Sequence, residues 1–219
     1  MLSKLFRLLY PPKCFLCNRI LKDGQEEVCP DCAKSQGEIP APRNKLTHVT
    51  KWTALWRYQG DVRDSILRFK FGNRQHYGAI YGRLLAAKLQ KEDFSCDLLT
   101  CVPISSFRKW KRGYDQVLII GEAMAHEMGI PLVQTLHKHR HTRPQSKLRT
   151  AAERRANILG SYSPINIHEF QGKKVLLIDD VITTGATVSE CSRILLTHGA
   201  RSVSCAAVAT AIKNNQRSR

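Results

Sequence analysis

Asp179 and Asp180 stand side by side after an apolar run, Val175 to Ile178, and are followed closely by Thr183, Thr184, Gly185, Ala186 and Thr187. Two adjacent carboxylates are costly to desolvate unless they meet hydroxyls or a metal. Small residues let consecutive backbone N–H groups approach an anion, threonine hydroxyls add donors, and a helix starting near Thr187 directs its positive end at the same point. The chemistry that suits this string is the grip of a phosphorylated, hydroxyl-bearing ligand such as a ribose phosphate. A helix cap needs only one such residue, so a capped turn explains part of the string and not the whole. The apolar run, preceded by Lys173 and Lys174, reads as a parallel strand covered on both faces, which the two acids are expected to end. Ligands of open α/β sheets bind at the carboxyl ends of such strands.

Four of the eight cysteines form a second constellation: Cys14 and Cys17 with two residues between them, then Cys29 and Cys32 spaced the same way. Each pair can present two thiolates to one tetrahedral ion, and zinc is the natural occupant. A closed four-cysteine site leaves no open coordination position, so the metal would be structural, folding about thirty residues that are too few to build a core alone. Disulfides and an iron–sulfur cluster are the competing readings. Cys96, Cys101, Cys191 and Cys205 lie in or beside apolar segments and read as ordinary buried thiols.

Two basic segments complete the candidate chemistry. In the first, Cys101 to Gln116, the cations Arg108, Lys109, Lys111 and Arg112 surround Trp110 and Tyr114, a pattern that suits phosphate contact plus base stacking. A solvated loop anchored by Trp110 is the plainer alternative. The second, His137 to Asn157, holds Lys138, Arg140, Arg143, Lys147, Arg149, Arg154 and Arg155 against the single acid Glu153. Such density implies a polyanion; the segment reads as a lid over the phosphate site or as a basic loop. Its alternating His137, His139 and His141 make a poor metal site among so many cations. With 35 Lys and Arg against 18 Asp and Glu, the formal charge is +17 and the pI near 9.8, so nucleic acid is the first partner to consider.

The elements that must position these residues follow from periodicity. Residues 1–40 read as a zinc knuckle with a short amino-terminal helix, 41–52 as a linker, 53–212 as the main domain and 213–219 as a basic tail. Strands are expected at Thr53–Tyr58, Leu98–Pro103, Pro131–Leu136, Val175–Ile178 and Ser202–Val208. Helical spacing runs through Val62–Phe71, Ala79–Leu89, Gln116–Met128 and Val188–Leu196. Strands alternating with helices predict an α/β fold, a mainly parallel sheet flanked by helices with right-handed crossovers. No segment approaches the roughly 20 apolar residues that span a bilayer, and the chain reads as cytoplasmic.

The string VLLIDDVITTGAT resembles the phosphoribosyl pyrophosphate (PRPP) motif of type I phosphoribosyltransferases. That resemblance implies that Asp179 and Asp180 hold the ribose 2′ and 3′ hydroxyls, with Mg²⁺ accompanying PRPP, and that Thr183 to Thr187 cradle the 5′-phosphate. It also implies that Pro103, Ile104, Ser105 and Ser106 receive pyrophosphate, with Arg112 contributing. A wider resemblance joins the four cysteines, VPISSFRKWKRGYDQ, RPQSKLRTAAERRANILGSY and the PRPP motif in this order, and is similar to the ComF family, which includes ComFC and GntX-like proteins. Family members often carry an RGFNQ-like segment where this chain has Arg112-Gly113-Tyr114-Asp115-Gln116, so Asp115 departs from the pattern. The resemblance implies handling of single-stranded DNA during natural competence, at the cytoplasmic face of the uptake machinery and alongside proteins such as a competence helicase. An active phosphoribosyltransferase and a non-catalytic nucleotide sensor stay open as alternatives.

Overall fold

Strand β1 (Trp52–Arg57) opens a sheet that β2 (Leu98–Cys101), β5 (Lys174–Ile182) and β6 (Ser202–Thr210) complete in the order β1-β6-β5-β2, every pair parallel. The computed structural model describes residues 11–35, 39, 45–139 and 158–212. The expected amino-terminal helix, the basic tail and the candidate contacts Arg140, Arg143, Lys147 and Arg149 lie outside the described residues.

Helices α2 (Gly60–Phe71), α3 (His76–Lys91) and α5 (Gln116–Met128) follow the predicted apolar spacing, with α4 (Ser106–Arg112) between β2 and α5. The short α1 (Pro30–Ser35) belongs to the knuckle, α6 (Ile167–Phe170) precedes β5, and α7 (Ala186–Thr197) joins β5 to β6. β5 shows why the sheet is covered on both sides. Leu176 and Ile178 join one core with Phe69, Tyr81, Ile120 and Met124, while Val175 and Leu177 join the other with Phe170, Cys191 and Leu195. This is the period-two alternation of a strand with two apolar faces. Fully burying each such Leu, Ile or Phe contributes about 1.5–3 kcal/mol before entropy is counted. α3 and α5 pack closely because Gly82 leaves room, as a Cβ there would meet the Cβ of Ala123 at 2.5 Å.

Several sequence expectations are corrected. The acids do not end their strand: β5 runs on beside β6 to the pair Ile182 and Thr210, whereas β2 stops at the pair Cys101 and Ile178. The chain then turns away, Val102 N–H donating to the Ile178 carbonyl, and leaves Asp179 and Asp180 beside an open edge. Pro131–Leu136 contributes one parallel bridge, Leu99 to Leu132, and the regular strand falls later, at β3 (Leu136–Lys138). Its antiparallel partner β4 (Tyr162–Pro164) was not read from sequence, being only three residues long. The segment after β2, expected as a loop, is largely the helix α4.

The knuckle shares the main core. Phe15, between the first two cysteines, lies 6.2, 6.0 and 5.8 Å from the rings of Trp56, Tyr77 and Tyr81. Its carbonyl accepts from Ser65 Oγ at 2.5 Å and from Arg68, and Arg68 also donates to the Leu16 carbonyl. The end of the expected linker is likewise built onto the sheet: Leu46 is buried, and Thr50 donates both N–H and Oγ1 to the Val203 carbonyl.

Candidate functional site

Asp180 is gripped on both oxygens. Lys70 Nζ, from the last turn of α2, donates to Oδ1 at 2.8 Å, and Gln116 Nε2, at the start of α5, donates to Oδ2 at 2.9 Å. Gln116 is held there by Asp115, whose Oδ1 caps α5 by accepting the N–H groups of Val117 at 3.0 Å and Leu118 at 3.2 Å. Asn caps a helix as well as Asp, so the departure at Asp115 leaves this device intact. Asp179 Oδ1 accepts the Asp180 N–H at 2.8 Å.

The two neighbours titrate apart. Burial, then the charge of Asp180, pushes Asp179 up to about 8, with Lys70 opposing. Burial also works against a charged Asp180, but Lys70, Gln116 and Arg112 together outweigh it and hold this carboxyl below its ordinary value. Like charges side by side cannot both ionise cheaply, and the structure resolves the conflict by giving Asp180 the cation.

Both acids line a cavity of about 500 Å³ together with Thr183, Thr187, Pro103, Ile104, Arg108, Lys111 and Arg112. Thr184 and Ala186 line a neighbouring cavity of about 400 Å³ instead. Gly185 caps α7 at φ 78°, a left-handed conformation, and any Cβ there would collide with Leu46. Ser105 is buried as the residue before α4, and Ser106 and Lys109 are exposed. Trp110 is 81% exposed, 6.3 Å from the ring of Phe107. Tyr114, set beside Trp110 for base stacking in the sequence reading, is instead only 7% exposed and packs 5.9 Å from Phe69. Apolar contact with α2 won over exposure, and no base can reach its ring in this arrangement.

Among the cavity residues that the sequence reading did not single out as site residues are Lys70, Gln116, Lys138 and Tyr162. Lys138, 7% exposed at the end of β3, donates to Tyr162 Oη at 3.0 Å and lies 4.8 Å from its ring. Burial, then the nearby Arg108, lowers its ammonium to about 8. Lys138 was legible only as one cation in a basic run; its alternation in β3 is what turns it inward. Arg112 lies 5.1 Å from the exposed ring of Phe71 and keeps a buried Nη1 that has no protein partner among the described residues. Five cations therefore face two acids in one cavity, an arrangement suited to a multiply charged phosphate ester.

The sulfurs of Cys14, Cys17, Cys29 and Cys32 all lie within 4.8 Å of one another, and those of Cys17 and Cys29 are 3.7 Å apart. Ligands of tetrahedral zinc at about 2.3 Å stand about 3.8 Å apart, so the four thiolates fit that ion. Cys14 Sγ also accepts the Cys29 N–H at 3.4 Å. Among the described residues this is the single cluster of three or more metal-type ligands.

Comparison with known proteins agrees with both halves. Residues 5–43 match the double zinc ribbon domain and residues 117–219 the phosphoribosyl transferase domain. The chain is 33% identical over 207 residues to competence protein F of Haemophilus influenzae, covering 84% of this chain and 90% of that one. It is 29% identical to the DNA utilization protein YhgH of Salmonella typhi, covering 87% and 86%, and 26% identical to competence protein ComFC of Streptococcus pneumoniae, covering 87% and 84%. With a structural zinc knuckle ahead of a phosphoribosyltransferase-type sheet, and a relative of this identity matched along nearly its whole length, the chain belongs to the ComF family.

Proposed function

We propose that this protein binds PRPP in the 500 Å³ cavity and holds single-stranded DNA at the cavity's basic, aromatic rim during DNA uptake. The observation that carries the reading is one juxtaposition. The acid pair and the Thr183–Thr187 turn suit a ribose phosphate, and α4, which forms one wall with Arg108, Lys111 and Arg112, carries Phe107 and Trp110 exposed beside them. Stacking on such rings tolerates any base, and the cations follow the backbone. The names of the relatives, competence protein and DNA utilization protein, support the same direction.

In this reading the carboxyl end of the sheet receives the ribose, α7 directs its amino terminus at the 5′-phosphate, and Arg108, Lys111, Arg112 and Lys138 meet the remaining phosphoryl groups. Magnesium would be an optional counter-ion on the diphosphate and not a requirement for binding, since both Asp180 oxygens are already engaged and five cations face the cavity. No helix among the described residues is long and apolar enough to cross a membrane. We place the protein in the cytoplasm, peripheral to the inner membrane face, with DNA-uptake proteins such as a helicase as partners. Calorimetric titration with PRPP tests the cavity: micromolar binding by the wild type and none by the Asp179→Asn/Asp180→Asn double variant is expected, and equal binding by both would refute the assignment.

Catalytic transfer is a second reading, favoured by Lys138. Its ammonium, lowered to about 8, is part amine near neutrality and could take the proton of an acceptor as pyrophosphate leaves. Release of pyrophosphate from PRPP in an acceptor screen, abolished by Lys138→Met, is the expected result; no release with any acceptor leaves binding as the activity.

A further inference from the structure

Adjacent carboxylates that serve a ligand need a counter-charge, and in this chain α2 supplies it. Lys70 Nζ sits 2.8 Å from Asp180 Oδ1, with side chains only 16% and 10% exposed, so the pair is largely out of water. The ammonium is fixed by the scaffold. Phe69, the preceding residue, is fully buried against Tyr81 and Tyr114 at 5.5 and 5.9 Å, and Arg68 is tied to the Phe15 and Leu16 carbonyls. Gln116 occupies the other carboxylate oxygen at 2.9 Å and keeps its own Oε1 buried with no protein partner among the described residues.

A divalent ion bound to Asp180 would have to displace this ammonium or sit against it. Mg²⁺ also asks for near-octahedral oxygens at about 2.0–2.1 Å, whereas Asp180 already meets an ammonium and an amide. Asp180 does not fit as a direct ligand of a divalent cation. Resting on the PRPP reading above, we infer that Lys70 is a built-in counter-cation that holds Asp180 charged and aimed into the cavity, so that the ribose is gripped here without a divalent ion. Lys70 is thus a positioning residue: it acts on the sugar through Asp180.

The test is calorimetric titration of the full, zinc-loaded chain with PRPP in metal-stripped buffer, with and without added Mg²⁺, zinc content being checked by atomic absorption. Wild type should bind in both buffers with constants within about threefold, and Lys70→Arg should keep that behaviour. Lys70→Met should lose at least about tenfold in metal-free buffer and recover part of the loss with Mg²⁺, which can then approach the freed carboxylate. Lys70→Met leaves a buried carboxylate unpaired, so Lys70→Met/Asp180→Asn, which removes both charges, controls for folding and should bind weakly and equally in the two buffers. Wild-type binding that requires Mg²⁺, or Lys70→Met binding equal to wild type without metal, overturns the inference while leaving PRPP binding intact. Absence of wild-type binding in both buffers overturns the PRPP reading and this inference with it.

Discussion

At the residue scale, the acid pair shows how far a motif can be read before its partners are known. Two acids, a threonine-rich turn and a glycine, which the fold sets at a left-handed φ, were visible in order along the chain, because residue types suited to a ribose phosphate stand next to one another there. Lys70 was not, since it lies 110 residues before Asp180 and only the packing of α2 beside β5 brings them together. Tyr114 misled for the mirror reason: it closely follows the exposed, basic Lys109 and Lys111 in sequence, but its ring is claimed by Phe69. The raised Asp179 carries a stability consequence. Its folded value, raised from the ordinary 3.8 to about 8, means the native state holds the proton more tightly than the unfolded chain. The stabilisation is full below about pH 4 and is lost as pH rises towards 8. The melting temperature should therefore fall between pH 5 and 8, and Asp179→Asn should flatten that fall; a slope unchanged by Asp179→Asn would refute the protonation assigned here. Gln116→Leu leaves one Asp180 oxygen unpaired and should weaken PRPP binding about tenfold or more by titration, an effect of the size expected for a lost bond to a charged group.

At the element scale, α2 joins the four-cysteine knuckle to the cavity. Ser65 and Arg68 hold the carbonyls of Phe15 and Leu16, the residues between Cys14 and Cys17, and Lys70 holds Asp180 half a turn later. Removing a zinc ligand should then be felt in the cavity. Cys17→Ser is expected to lose zinc by atomic absorption and to bind PRPP more weakly, although Cys17 does not line the cavity. Full zinc retention would contradict the metal assignment, and zinc loss with unchanged PRPP affinity would contradict the coupling through α2. The helices were legible because their apolar stripes run for several turns, and α5 begins and ends where its spacing predicts. Strand ends were less so. The acids look like a terminus when read alone, but β6 remains beside them and keeps β5 in the ladder to Ile182. β3 and β4 have three residues each and little periodicity to show.

At the scale of the whole molecule, a formal charge of +17 favours polyanionic partners. The order of knuckle, basic aromatic segment and PRPP motif carried the family resemblance, and the fold brings the last two together in one cavity with a basic wall and an exposed aromatic rim. Trp110, at 81% exposure, is left uncovered by the fold, and the proposed DNA role would give its ring a partner. Trp110→Ala should cost about 1–3 kcal/mol of single-stranded DNA affinity and leave PRPP binding unchanged; equal DNA binding by Trp110→Ala would remove the stacking role. The most direct test of the joint site is fluorescence anisotropy of labelled single-stranded DNA against the zinc-loaded protein at two salt concentrations, with and without PRPP. The account predicts binding that weakens steeply with salt and is altered by PRPP, because both ligands meet the α4 cations. DNA binding absent at low salt, or indifferent to PRPP, would contradict it.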